Sequence, residues 1–178
     1  MAKKYIMEST STQKLLSFLS ETPGTYYTPV EVLTRTKMSR RSFFSSIKEL
    51  SNAGYVLSDS RGRFVQYAAD YKNSFVKHFK ILKNINTLAK LTGELEPVSN
   101  KIILYGSAAR GEDEAESDMD LFVITQNPEK AGLIANKFKG SRRIHAVIKT
   151  PSEMPDFSVK ENVFHTEVQK GIVLWEVL

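Results

Sequence analysis

Residues 101–124 read KIILYGSAARGEDEAESDMDLFVI, and this stretch decides the fold of the second half of the chain. Two short apolar runs, residues 102–105 and 121–124, have the length and branched side chains of buried strands. Gly106 and Ser107 follow the first run directly. Glycine adopts backbone angles that other residues avoid and lets a phosphate approach the main chain. Ser107 adds a hydroxyl and is predicted to open a short helical turn whose N–H groups attract anions.

Two aspartates, Asp118 and Asp120, stand at the start of the second apolar run. Because side chains alternate along a strand, residues two apart point to the same face. Paired carboxylates suit Mg²⁺, which completes its shell with water and phosphate oxygens. Either fragment alone is also typical of an ordinary turn or a solvated strand end. Together they indicate phosphoryl or nucleotidyl transfer.

The combined motif is Gly106-Ser107-Ala108-Ala109-Arg110-Gly111, six further residues, and then Asp118-Met119-Asp120-Leu121. It resembles the Gly-Ser…Asp-x-Asp signature of the DNA polymerase beta nucleotidyltransferase superfamily, and most closely that of the minimal nucleotidyltransferases of prokaryotes. The resemblance implies that Gly106 and Ser107 hold a nucleoside triphosphate and that Asp118 and Asp120 are catalytic ligands of Mg²⁺. Arg110 and Ser117 match the same pattern and are expected to contact the nucleotide.

One carboxylate of that family pattern is missing. Family members carry a third acid on a later strand, and the best candidate strand here, residues 144–149, contains no Asp or Glu. His145 stands near the expected position. Its neutral imidazole could serve as a base near pH 7, although imidazole is a poor ligand for Mg²⁺. The alternative is a half-exposed strand histidine without a catalytic role.

The composition excludes several classes of protein. The chain has 178 residues, of which 41% are apolar, so it is long enough for one domain or two small ones. It has no cysteine, which excludes disulfides and thiolate metal sites, and its three histidines show no metal-ligand spacing. No apolar run approaches the roughly 20 residues that span a bilayer, and no signal core follows the basic N-terminus. We therefore expect a soluble, cytoplasmic protein without a membrane partner.

The charge is divided unevenly along the chain. Residues 1–96 hold 15 Lys and Arg against 8 Asp and Glu, a net charge of +7. Residues 97–178 hold 10 against 12, a net charge of −2. This asymmetry indicates a nucleic acid or another polyanion as the partner of the first part and a different task for the second.

The first part has the pattern of three helices followed by a hairpin. An apolar helical pattern covers residues 13–19, and a second helix is predicted from Pro29 to about residue 36, because Thr28 and Glu31 form a capping signal. Ser39 is a cap for a third helix over residues 40–53. Strand-like residues 55–57 and 63–67 flank turn residues 59–62.

Residues 13–68 resemble the winged-helix DNA-binding domains of prokaryotic transcriptional regulators. In such domains the third helix enters the major groove and the wing follows the DNA backbone. The residues expected to contact duplex DNA are therefore Arg40, Arg41, Ser42, Ser45, Ser46 and Lys48 on the helix and Arg61 and Arg63 on the wing. The alternative is a winged helix that serves as a protein or dimer interface with a solvated basic face.

A long amphipathic pattern over residues 70–91 predicts a helix that connects the two parts and that Gly93 and Pro97 close. Its apolar stripe could also pair with a second copy in a homodimer. After it, predicted strands 101–105, 119–124, 144–149 and 171–175 alternate with helices 128–138 and 151–169. The pattern is typical of a small mixed sheet with helices on one face. The acidic residues 112–116 could belong to the metal site, but we interpret them as a solvated loop. The basic residues could attract nucleotide or an acceptor nucleic acid, but we interpret them as a solvated turn; they are Lys137, Lys139, Arg142 and Arg143.

The sequence as a whole predicts an α+β protein, an N-terminal winged helix-turn-helix followed by a small mixed-sheet nucleotidyltransferase domain. The predicted boundaries are 1–69, a connecting helix 70–96, and 97–178. The implied function is Mg²⁺-dependent transfer of a nucleoside monophosphate from a triphosphate to an acceptor hydroxyl by a DNA-binding protein. Two alternatives remain open: a regulator whose transferase domain senses nucleotide, and an antitoxin that acts on a toxin partner.

Overall fold

The structure, a computed structural model, describes residues 9–61 and 64–177. The chain folds as two compact units, Met1–Lys80 and Ile81–Leu178. The helices are α1 Thr10–Leu19, α2 Pro29–Thr36, α3 Arg40–Asn52, α4 Ser74–Leu95, α5 Gly106–Arg110, α6 Pro128–Lys137, α7 Met154–Lys160 and α8 Asn162–Gln169. The strands are β1 Val56–Arg61, β2 Phe64–Ala69, β3 Lys101–Tyr105, β4 Met119–Ile124, β5 Ile144–Lys149 and β6 Ile172–Glu176. Among the described residues, no helix is both long and apolar enough to cross a membrane.

Helices α2 and α3 begin where their capping residues predict. The Thr28 side chain accepts a hydrogen bond from the Glu31 N–H, and the Glu31 carboxylate accepts one from the Thr28 N–H at 2.7 Å. Ser39 accepts from the Ser42 N–H at the start of α3. These side chains satisfy N–H groups that have no partner inside a helix, which is why both predicted starts are confirmed.

The core of the first unit is built from the apolar faces of its helices and hairpin. On α3 the residues that face inward are Phe43, Ile47 and Leu50, as the helical spacing predicts. They pack with Leu15, Leu16 and Leu19 of α1 and with Val32 of α2. Each such side chain contributes roughly 1.5–3 kcal/mol when it leaves water completely. This burial orients α3 and exposes its opposite face.

The hairpin and the connecting helix differ from their predicted bounds. Strand β1 continues to Arg61, so Asp59 and Ser60 pair with β2 and are not turn residues. Helix α4 starts at Ser74 after Asn73, whose side chain accepts from the Phe75 N–H. It passes through Gly93 and ends at Leu95. The complete burial of Leu88, Leu91 and Leu95 offsets the roughly 1 kcal/mol that glycine costs inside a helix.

The second unit contains the predicted mixed sheet, with strand order β5-β4-β3-β6. Strand β3 pairs antiparallel with β4 and with β6, whereas β4 pairs parallel with β5. The two apolar runs of the opening stretch are thus the central strands. Their neighbours in the sheet decide which side chains meet at the site.

The prediction that helices cover one face of this sheet is wrong. Ile102 and Leu104 face a core with Leu88, Leu91 and Leu95 of α4 and Ala131 of α6. Ile103 and Tyr105 face a second core with Phe157 of α7 and Val168 of α8. The cause is the continuous apolar character of β3 and β4, which exposes an apolar surface on both sides. The single helix predicted over residues 151–169 is also two helices, which meet at Glu161.

Candidate functional site

Gly106 directly follows β3 and opens the short helix α5, as predicted for the turn. Its φ is +71°, in the region that favours glycine. A Cβ atom at this position would lie 2.7 Å from Oδ2 of Asp120. The main chain of the turn and the Asp120 carboxylate therefore stand against each other, and only glycine permits that approach.

Asp120 and His145 are neighbours on parallel strands. The register of β4 and β5 places them opposite each other, and Nδ1 of His145 lies 3.0 Å from Oδ1 of Asp120. The His145 side chain is 61% exposed and that of Asp120 is 27% exposed. The imidazole therefore contacts the carboxylate directly and is also accessible to a second molecule.

Tyr105 lies beside Asp120 on the other neighbouring strand, β3. Burial of its phenol, together with the Asp120 carboxylate, raises the pKa of Tyr105 to about 12. The sign follows from charge, since both causes disfavour the phenolate. Tyr105 keeps its proton at neutral pH and is not a base for this site.

Asp118 precedes β4 by one residue, and its side chain is exposed. Side chains alternate regularly only inside a strand, and Asp118 lies outside β4, so a face shared with Asp120 stays a prediction. In the described part of the chain no group of three or more His, Asp or Glu side chains is arranged to hold a metal ion. Asp118 and Asp120 nevertheless offer the carboxylate oxygens that Mg²⁺ binds, and a phosphate close to Gly106 could supply others.

Arg110 and Ser117, the other predicted nucleotide contacts, already have protein partners. The Arg110 guanidinium donates to Glu112 at 3.0 Å and to Glu167 of α8. These carboxylates, Glu112 first, raise the pKa of Arg110, which stays charged. The Ser117 hydroxyl accepts from the Glu114 N–H at 2.9 Å. Ser107 is half-buried in α5, where its carbonyl accepts from the Glu112 N–H.

Strand β5 supplies no carboxylate, as its sequence shows. The first acid after β5 is Glu153, which follows the end of the strand opposite to His145. Its carboxylate accepts hydrogen bonds from the Thr150 N–H and hydroxyl. His145 lies four residues before that end of β5, a distance of about 13 Å along the strand. The Asp156 carboxylate accepts from Lys160 at 2.7 Å. His145 therefore occupies the position on β5 that faces Asp120.

The side chains predicted to contact DNA are only partly available on α3. Arg40, Arg41, Ser45 and Lys48 are exposed, and Ser42 is half-buried beside Ser39. Ser46 is buried and its hydroxyl accepts from Thr12, so the prediction that it contacts DNA is wrong. Its position on α3 faces α1, which turns it inward. Arg63 and the side chain of Arg61 lie outside the described residues.

A buried polar cluster that the sequence analysis missed lies beside the site. Asp113, within the predicted solvated acidic turn, is 2% exposed, and Nη1 of Arg142 lies 2.5 Å from its Oδ2. Asn84 of α4 donates to Oδ1 of Asp113 at 2.9 Å. The prediction of solvated turns is thus wrong for Asp113 and Arg142. A single sequence contains no signal for this pairing, because each residue stands among others of like charge.

Residues 85–170 match the family model of the nucleotidyltransferase domain. A crystal structure of a "putative nucleotidyltransferase" from Sulfolobus solfataricus is similar, with 14% identity, coverage of 55% of this chain and 84% of that chain, and a TM-score of 0.38. No curated protein matches the sequence. The matched residues include the Gly106–Asp120 motif and strands β3 and β5, which flank Asp120 in the sheet. The match confirms the predicted nucleotidyltransferase resemblance for this part of the chain.

Proposed function

We propose that the second part of the chain transfers a nucleoside monophosphate from a triphosphate to an acceptor hydroxyl, with Mg²⁺ as cofactor. The observation that carries the proposal is that the Gly106 turn approaches, and His145 contacts, the same Asp120 carboxylate, inside the part that matches a nucleotidyltransferase domain. We assign this task to residues 97–178, DNA binding to a winged helix at 1–69, and the connection to 70–96.

The proposed reaction is a displacement at the α-phosphorus. The acceptor oxygen bonds to that phosphorus, the bond to the bridging oxygen breaks, and pyrophosphate leaves with the electron pair. Gly106 and Ser107 hold the phosphates, Arg110 and Ser117 contact the nucleotide, and Asp118 and Asp120 hold the metal. When bound, Mg²⁺ supplies charge neutralisation for the phosphate oxygens.

In this proposal His145 accepts the proton of the acceptor hydroxyl. An ionised carboxylate only accepts hydrogen bonds, so Nδ1 of His145 is the donor to Asp120. In a neutral imidazole the other nitrogen, Nε2, then carries a lone pair. The exposure of the ring leaves that nitrogen accessible. Asp120 thus both orients the proposed base and holds the metal.

The first prediction concerns His145. If its Nε2 is the base, His145→Ala should lower turnover by about 10²- to 10⁴-fold and leave triphosphate affinity nearly unchanged. Turnover is followed with each labelled triphosphate, Mg²⁺ and cell extract as the source of acceptor. The labelled macromolecule should also disappear when Asp118 and Asp120 are both replaced by alanine.

His78→Ala is the matched control, because His78 is an exposed histidine of the first unit. A change of less than a few-fold in His145→Ala would make His145 an ordinary strand residue. Absence of labelling with every triphosphate would contradict the transferase proposal.

A nucleotide-sensing regulator is the second candidate, and the same site supports it. Strand β5 has no carboxylate, and the charged Arg110 side chain already forms ion pairs with Glu112 and Glu167. Such a domain would bind a triphosphate and transfer slowly. An antitoxin that has the same catalytically weak domain and binds a toxin, alone or as a homodimer, is a form of this candidate. Triphosphate binding without labelling would favour it.

The exposed face of α3 supports the proposal that the first unit binds duplex DNA. Arg40, Arg41 and Lys48 are three or four residues from Phe44, so all four lie along one face of the helix. Arginine can read guanine or pair with phosphate. The net charge of +7 over residues 1–96 favours either contact.

The second prediction tests this face. Arg40→Ala with Arg41→Ala should weaken duplex binding and reduce the slope of log affinity against log salt by about one for each phosphate that the variant no longer neutralises. Fluorescence anisotropy over a salt series measures both quantities. Lys130→Ala with Lys137→Ala removes two exposed cations from α6 and is the control for net charge.

Unchanged binding in the arginine variant would contradict the DNA interface on α3.

The alternative, a protein interface, is supported by four exposed apolar residues that line one groove of about 490 Å³ in the first unit. They are Val30, Phe44, Phe64 and Val65. Exposed apolar residues gathered in one place are typical of a surface that binds another molecule.

A further inference from the structure

In the buried cluster of Asn84, Asp113 and Arg142, the arginine forms hydrogen bonds to the main chain in addition to its ion pair with Asp113. Nε of Arg142 donates to the Ser117 carbonyl at 2.7 Å, and Nη2 donates to the Asp118 carbonyl at 3.2 Å. The same guanidinium pairs with Asp113 through Nη1. The three nitrogens of the Arg142 guanidinium therefore hold the acidic loop at both of its ends. One of the residues that they bind is Asp118, a predicted metal ligand.

Asn84 connects this loop to the phosphate turn. Its side-chain amide donates to Oδ1 of Asp113 and to the Ala108 carbonyl, each at 2.9 Å. Ala108 lies in α5, two residues after Gly106. One buried amide thus fixes the distance between the turn that would hold phosphate and the loop that leads to Asp118.

The chemistry of arginine is needed for these contacts. A guanidinium has five N–H donors in a planar fork, whereas an ammonium is a single point charge on a flexible stem. Asp113 is almost completely buried, and a carboxylate is retained there because it is paired and hydrogen-bonded. The ion pair with Asp113 fixes the orientation of the Arg142 guanidinium, and its remaining N–H groups then reach the carbonyls of Ser117 and Asp118.

We propose that Arg142 is a positioning residue for the candidate site, with Asp113 and Asn84 as its supports. Together they set the main chain at Asp118 relative to the Gly106 turn, so that the two halves of the site can bind one metal–triphosphate complex. The inference rests on the proposed function. It assigns to Arg142 a role that acts through Asp118 and not by contact with the reacting atoms.

The placement of the cluster favours this role over a purely structural one. Its carbonyl acceptors are Ser117, Asp118 and Ala108, and each belongs to a segment that carries a predicted site residue. The neighbouring main-chain bond from the Met119 N–H to the Arg143 carbonyl already pairs the chain segments next to β4 and β5. The Arg142 side chain extends that pairing into the loop that precedes β4.

The third prediction is the test, with Arg142→Lys in the full chain. Lysine keeps a positive charge beside Asp113 but cannot donate to both carbonyls in the same geometry. The dissociation constant of the Mg²⁺–triphosphate complex should rise about 10- to 100-fold, the range seen when groups that orient metal ligands are removed. Calorimetry uses the one of ATP, GTP, CTP and UTP that the wild type binds best, well below the unfolding temperature.

Hydrogen exchange of the Glu112, Glu114 and Ser117 amides measures the loop independently. Each of these amides donates within the segment of residues 107–117, and its exchange should accelerate in Arg142→Lys. Arg143→Lys, at the adjacent exposed arginine, should change neither the exchange nor the affinity. Asn84→Ser replaces the bridging amide, which donates twice, with a shorter hydroxyl that has one donor, and it should reproduce the drop in affinity if Arg142→Lys does not fold.

The outcomes separate this inference from the function on which it rests. A wild-type protein that binds none of the four triphosphates overturns the proposed function, and the positioning role with it. A wild type that binds, together with variants of Arg142 and Asn84 that bind equally well, overturns the positioning role alone. Accelerated exchange with unchanged affinity would make the cluster purely structural and would also overturn the inference.

Discussion

Gly106→Ala should remove triphosphate binding and transfer together, while the protein stays folded. The substitution places a Cβ 2.7 Å from Oδ2 of Asp120 and forces alanine to a φ of +71°. The backbone strain costs about 1–3 kcal/mol, which a folded domain can tolerate. The contact, however, must displace Asp120 or the turn, and a displacement of about 1 Å can cost 10²-fold in rate. Calorimetry and the labelling assay measure the two effects.

Gly54→Ala separates strain from displacement. Gly54 has a nearly equal φ of +72°, but no heavy atom lies within 4 Å of its added Cβ. This control should show a similar decrease in unfolding free energy and no decrease in triphosphate affinity. Wild-type affinity in Gly106→Ala would show that the turn does not approach the nucleotide, and the site would have to be placed elsewhere.

Asp118→Ala with Asp120→Ala should abolish the Mg²⁺ dependence of triphosphate binding. Removal of both carboxylates leaves the strongly hydrated ion with water and phosphate oxygens alone. The affinity should fall by about 100-fold or more, since groups that merely orient metal ligands cost 10- to 100-fold. Calorimetry with each triphosphate, with and without Mg²⁺, measures the change. His145 also loses its partner in this variant.

Glu94→Ala with Glu129→Ala removes the same charge from exposed helix positions and should bind as the wild type does. Glu94, Glu129 and Asp118 are exposed, so each of these three substitutions should change the unfolding free energy by only about 0.5 kcal/mol. Mg²⁺-dependent binding that survives in the aspartate variant would contradict the assignment of Asp118 and Asp120 as ligands.

The local signals of the chain predicted its elements well because each is contained in a few consecutive residues. Thr28, Pro29 and Glu31 start α2 by satisfying its terminal N–H groups, and Ser39 does the same for α3. The apolar runs of the opening stretch become β3 and β4 within a residue or two. Gly93 was predicted to close the connecting helix, but the burial of the leucines around it outweighed its low helix propensity. Asp59 was predicted to lie in a turn, but it pairs with β2 as part of a strand.

The sequence by itself determined most of the helices and strands, the mixed sheet and the Gly106–Asp120 motif, because alternation, capping and glycine chemistry act between near neighbours. Only the tertiary structure decided what that motif contacts. The parallel register of β4 and β5 places His145 against Asp120 across 25 positions, and burial pairs Asp113 with Arg142 across 29. Helices cover both faces for the same reason, since the partner of a buried surface depends on the whole chain and not on the residues beside it.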